Sequence, residues 1–121
     1  MKNKTFFAII YMISCQTSMA DLVLLPKVEE FLDDLEEEAR AKVSIMIDLL
    51  EEYGYELREP HTKKLTKQLF ELRSRGKQEV RLLFAYRSGK IFILTGFIKK
   101  SRKTPRLEIV KAERELNTLD I

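Results

Sequence analysis

The stretch FELRSRGKQEVRLLFAYRSGKIFILTGFI, residues 70–98, decides the fold. Phe70 and Leu72 alternate with Glu71 and Arg73, and Val80, Leu82, Phe84 and Tyr86 alternate with Arg81, Leu83 and Arg87. Apolar residues at period two mark strands that lay one face on a core. Ile91 to Ile98 is almost wholly apolar, as a central strand covered on both faces would be. Gly76 and Ser88-Gly89 break the runs and supply turns. The stretch therefore predicts three antiparallel strands in a meander.

Upstream the period changes. Val28, Leu32, Leu35, Ala39, Val43, Met46, Leu50 and Tyr53 follow one another at intervals of three and four, which is one helical stripe. Pro26 suits a first turn and Gly54 a stop. One helix over Pro26–Tyr53 is long for a small domain, so a helical hairpin broken near Glu36–Glu38 is expected. Its acidic run, Asp33 to Glu38, is read as an exposed helix end and helix start, where a helix N-terminus favours carboxylates. Tyr55–Thr66 reads as a loop. Downstream, Thr104 is expected to cap a last helix with Pro105 at its first position and with Leu107, Val110 and Leu116 on its apolar side. The fold class is α+β: an N-terminal strand, a helical hairpin, a three-stranded antiparallel meander and a C-terminal helix.

Residues 1–20, MKNKTFFAIIYMISCQTSMA, stand apart from a domain over residues 21–121. Lys2 and Lys4, the apolar run Phe6–Ile13 and the Ser18-Met19-Ala20 ending are the three parts of an export signal. The run is also rich in aromatic and β-branched residues, as a buried strand is. A third reading starts the protein at Met19, with a strand at Leu22–Leu25. All three stay open. The apolar run is far short of the ~20 residues of a spanning helix.

Composition narrows the chemistry. The 121 residues are 45% hydrophobic and 34% charged, enough apolar residue for one core and too much for a disordered chain. One cysteine, Cys15, and one histidine, His61, cannot form an internal disulfide or a zinc site, so no metal and no cofactor is expected. A lone loop histidine such as His61 is surface filler more often than a catalyst. The net charge of +3 hides a division. Residues 21–56 carry twelve acids against three bases, whereas residues 57–121 carry seventeen bases against seven acids. A basic half suits a polyanion, although a charge run by itself often only solvates a surface.

The bases are placed to be used. Alternation sets Arg73, Arg75 and Arg81 on the sheet face opposite Leu72 and Leu82, and Arg81 is expected to be solvated there. Lys99, Lys100, Arg102 and Lys103 follow the last strand, and Lys63, Lys64 and Lys67 precede the first. Arginine forks grip phosphate with two hydrogen bonds, and lysines add point charge. Phe97 and Tyr86 would add base stacking if they reach the surface.

Three segments carry a resemblance: Val28-Glu29-Glu30-Phe31-Leu32; Leu49-Leu50-Glu51-Glu52-Tyr53-Gly54; and Glu59-Pro60-His61-Thr62-Lys63-Lys64-Leu65. They resemble the opening of HigB-type toxins in the RelE/ParE superfamily. Phe70-Glu71-Leu72-Arg73 with Arg81 continues the likeness. Gly96-Phe97-Ile98-Lys99-Lys100, followed by Lys103-Thr104-Pro105 and Glu108, is similar to the phage-derived branch. The likeness runs from about Leu22 to Leu119.

That resemblance implies a RelE-like fold and the toxin of a type II toxin-antitoxin system, a ribosome-dependent mRNA endoribonuclease that needs no metal. It implies catalytic roles for Arg81, Arg73, Lys99 and Lys100, with Lys63, Lys64, Lys67, Arg75, Tyr86, Phe97, Arg102 and Lys103 as RNA contacts. The implied partners are a cognate helix-turn-helix antitoxin, the ribosome with its mRNA, and operator DNA reached through the antitoxin. A cytoplasmic location without a membrane partner follows, in conflict with the export-like start. Two alternatives stand beside it: a ParE-like inhibitor of DNA gyrase without catalysis, and an exported basic binding domain.

Overall fold

A computed structural model of the chain describes residues 21–119. The three readings of residues 1–20 fall outside the described residues, except that the strand expected at Leu22–Leu25 overlaps one at Asp21–Leu24 (β1). The chain continues through α1 (Pro26–Asp33) and α2 (Glu37–Tyr53), a 3-10 turn at Gly54–Glu56, and β2 (Thr62–Lys64). β3 (Phe70–Ser74), β4 (Val80–Arg87), β5 (Lys90–Ile98) and α3 (Arg106–Asn117) complete it. The architecture is α+β, with one mixed five-stranded sheet in the order β1-β5-β4-β3-β2. Among the described strands only the β1–β5 pair is parallel.

β3, β4 and β5 are consecutive antiparallel neighbours, as alternation predicts. Ser88 and Gly89 both take positive φ, 57° and 75°, the two-residue turn whose twist suits a hairpin. The sheet is larger than the expected meander. The segment read as a loop holds β2, which pairs with β3, and β1 closes the other edge on β5.

The two faces of the sheet carry separate cores. Leu22, Leu72, Val80, Leu82, Phe84, Ile91 and Ile93 pack under α1 and α2, which contribute Val28, Leu32, Val43, Ile47 and Leu50, with Leu35 from the break between them. Leu69, Leu83, Ala85, Phe92, Leu94 and Phe97 pack under α3 through Ala112 and Leu116. β5 is buried on both sides, as its unbroken apolar run requires.

Several expectations are corrected. The hairpin breaks at Asp34–Glu36, where the Arg40 guanidinium donates to the carbonyls of Asp33 at 3.2 Å and Leu35 at 3.0 Å. These carbonyls lose their helical partners at the break, so a cationic donor takes the place of a glycine stop. Asp33, expected in solvent, is buried; Ile47 rather than the half-buried Met46 carries the apolar stripe between Val43 and Leu50, and Tyr53 is exposed. α3 buries Ala112 and Leu116 but leaves Leu107 and Val110 exposed. Thr104 does not cap α3: Pro105 holds that position, with no side-chain hydrogen bond.

Candidate functional site

The candidate site lies on the α3 side of the sheet, around Arg81. Arg73 and Arg81 are direct partners across β3 and β4. Phe97 is the partner of Arg81 across β5, and Lys63 faces Glu71 from β2. Two like charges directly opposite repel, and the chain resolves this with a carboxylate. Glu71 Oε1 lies 3.2 Å from Arg73 Nε and 3.7 Å from Arg81 Nε. The second contact is close enough for charge attraction but too long for a hydrogen bond, and Arg81 Nε has no hydrogen-bond partner. Arg81 Nη2 reaches Glu79 Oε1 at 2.9 Å. The other Glu71 oxygen, Oε2, accepts a hydrogen bond from the Thr104 hydroxyl.

The expectation of a solvated Arg81 is wrong. Arg81 is 2% exposed and Glu71 1%; Phe97 is the cross-strand neighbour of Arg81, and the Thr104 hydroxyl bonds Glu71. Alternation gives the face a side chain points to, and says nothing of what crosses over that face. The four charges of Arg73, Arg81, Glu71 and Glu79 cancel. The cationic character of this face therefore comes from its rim.

That rim is the segment after β5. The Lys99 N–H donates to the Glu79 carbonyl at 2.7 Å, extending the β4–β5 ladder by one step. The Lys99 ammonium donates to the Arg102 carbonyl, and the Ser101 hydroxyl donates to the Lys103 carbonyl at 2.9 Å. Lys100, Arg102 and Lys103 are exposed on this self-bonded loop, which Thr104 fastens to Glu71. Lys63 is exposed on the β2 edge.

The remaining candidates sit elsewhere. Arg75 is exposed in the β3–β4 turn and Lys67 in the β2–β3 turn. Phe97 is buried in the α3-side core, 8% exposed. Tyr86 lies on the opposite face, beside Phe70 and Phe84, and so does Lys64, whose ammonium stands 5.9 Å from the Phe70 ring centre. His61 is exposed and contributes its carbonyl to Arg73 N–H at 2.8 Å. Glu71, Glu79 and Thr104 are the residues the sequence reading missed. A signal existed: Glu71-Leu72-Arg73 and Glu79-Val80-Arg81 each put an acid and an arginine two apart, hence on one strand face.

Among the described residues no three His, Cys, Asp or Glu side chains converge as a metal site would require, and no helix is long and apolar enough to cross a membrane. No curated protein matches the chain. The family profile of phage-derived proteins like Gp49 (DUF891) matches residues 30–117, from within α1 to the last residue of α3. With both arginine strands, the basic loop and all but the first edge strand inside that match, the chain belongs to the phage-derived Gp49-like family, a family of RelE/Gp49-type toxins.

Proposed function

We propose that this chain is the toxin of a type II toxin-antitoxin system, of HigB kind, and that it cuts mRNA on the ribosome. The observation that carries the reading is the register of Arg73 against Arg81 beside the basic loop 99–103. Two fixed guanidinium groups next to a set of exposed cations are suited to a phosphodiester. Without a metal, the neighbouring 2′-hydroxyl attacks phosphorus. Its oxygen forms the new P–O bond, the bond to the 5′-oxygen breaks, and a cyclic phosphate and a 5′-hydroxyl result. Negative charge gathers on the phosphoryl oxygens in the transition state, where preorganised cations are worth most.

In this mechanism Arg73, the more open of the pair at 16% side-chain exposure, meets the phosphate, and Arg81 supports it from beneath. Glu71 positions both guanidinium groups. Lys99 or Lys100 moves a proton to the leaving oxygen or from the attacking one, and a lysine does this poorly at neutral pH unless desolvated. A slow enzyme that relies on the ribosome to orient its substrate follows. The proposed partners are a helix-turn-helix antitoxin, which would also bring the toxin to operator DNA, and the ribosome with mRNA in the cytoplasm.

The test is mRNA cleavage on programmed ribosomes beside thermal melts. Arg73→Gln, which keeps a donor for Glu71 but not its charge, should stay folded with a lowered Tm and lose ~10²–10³ in rate, the size seen when one transition-state donor is removed. A folded Arg73→Gln protein that cuts at the original rate overturns the reading. One observation favours the gyrase alternative: Arg81 is buried and engaged by two carboxylates, as a purely structural arginine would be. Growth arrest with intact protein synthesis and failing DNA replication would select it.

A further inference from the structure

On the other side of the sheet, beyond the end of α2, lies a cleft of about 420 Å³ that the arginine face does not use. Its volume falls within the ~300–1,000 Å³ of small-ligand sites. Four aromatic rings build its wall. Tyr55 stacks on Tyr86 with ring centres 3.8 Å apart and planes 17° from parallel. Tyr86 in turn stands edge-on to Phe70 and Phe84. Tyr55 is 70% exposed, so part of a large ring is offered to solvent while the stack behind it is anchored in the core.

Charge accompanies the rings. Arg58 and Lys64 line the cleft and are exposed, and among the described residues neither has a carboxylate within ion-pair distance. Glu59 also borders it and disfavours phosphate on that side, which directs an anionic backbone along Lys64. Aromatic faces beside cations are how proteins hold unpaired bases. A buried apolar peptide would ask instead for a cleft without exposed charge.

We propose that this cleft binds an unpaired nucleobase of single-stranded RNA, stacked against Tyr55 with its phosphate on Lys64. The proposal rests on the RNA-cutting reading above and gives it a second contact point. β2 makes the two sites continuous. It is an edge strand of the sheet, Lys63 faces Glu71 across the β2–β3 pair, and Lys64 is the partner of Phe70. Lys63 also borders the cleft, so a single strand passing over this edge meets both lysines, and the cleft reads a base displaced from the one beside the scissile phosphate.

The experiment measures binding of a fluorescent hexanucleotide RNA to the full chain, with ribosome-programmed cleavage and melts alongside. Tyr55→Ala should weaken binding roughly five- to 150-fold, the range for one stacked base, and Tyr55→Phe should restore it. Lys64→Gln should lower the slope of log affinity against log salt by about 0.7, the value for one phosphate of a single strand. Unchanged affinity in a folded Tyr55→Ala protein overturns the cleft, as does a wild-type chain that ignores the hexanucleotide. Cleavage by the wild type decides the RNA-cutting reading separately in either case. Loss of antitoxin binding in Tyr55→Ala, with hexanucleotide affinity intact, would give the cleft to a protein partner and overturn the proposal.

Discussion

Truncating Arg81 to alanine would strip Glu71 of one of its two cationic neighbours at a point where both residues are almost sealed from water. A buried charge that loses its partner typically costs ~3–5 kcal/mol, so Arg81→Ala should lower the unfolding free energy by about that much, read from urea titrations. A change within about 0.5 kcal/mol, the usual size for a surface site, would mean that the cluster is open in solution. Loss of activity in Arg81→Ala therefore says little about chemistry. Arg73 is the residue that separates the two roles. The Glu-x-Arg pairs at Glu71-Arg73 and Glu79-Arg81 were legible as shared faces. The Thr104 contact to Glu71 was not, because its hydroxyl comes from 33 residues further along the chain and strand alternation carries no information about so distant a contact.

Among the elements, those with strong periodicity were legible and those made by pairing were not. β3, β4 and β5 announce themselves by alternation and turn residues. β2 is three residues, two of them lysine, and exists because β3 offers it a ladder; edge lysines of this kind also deter strand addition from outside. The break between α1 and α2 has no Gly or Pro, and is made by Arg40 reaching back to two carbonyls. On β5, Gly96 marks a tight approach of α1 to the sheet. A Cβ there would lie 2.6 Å from Phe31 Cδ2 and 2.8 Å from Leu82 Cδ2, below any normal contact. Gly96→Ala should destabilise by ~1–3 kcal/mol through overpacking, visible as a lower Tm. An unchanged Tm would show that Phe31, which is only half-buried, swings aside freely.

At the scale of the whole molecule, the charge division read from the sequence becomes a division of faces, with acidic α1 and α2 over one core and the basic loop beside the other. Alkaline pH probes the first of these. Tyr86 holds its proton up to about 12 in the folded chain, against an ordinary 10, because burial and then Tyr55 disfavour the phenolate. The folded state thus binds more protons than the unfolded one between those values, and stability from this group is complete below pH 10 and is lost as pH rises toward 12. Tyr86→Phe should flatten that part of the stability–pH curve relative to the wild type; parallel curves would count against it.

β1 has a consequence for the order in which the chain assembles. Leu22 and its partner Ile91 are 69 residues apart, whereas the β3–β4 and β4–β5 hairpins close over short turns. Distant pairings incur the loop-closure entropy last and slowest. Leu22→Ala should therefore speed unfolding and leave the folding rate nearly unchanged, a φ-value near zero, while Leu82→Ala in the meander should slow folding; a Leu22 φ-value close to that of Leu82 would contradict this order. During synthesis the same geometry reverses the usual sequence of events: the strand made before all the others in the sheet waits, with Leu22 uncovered, until Lys90–Ile98 has been made.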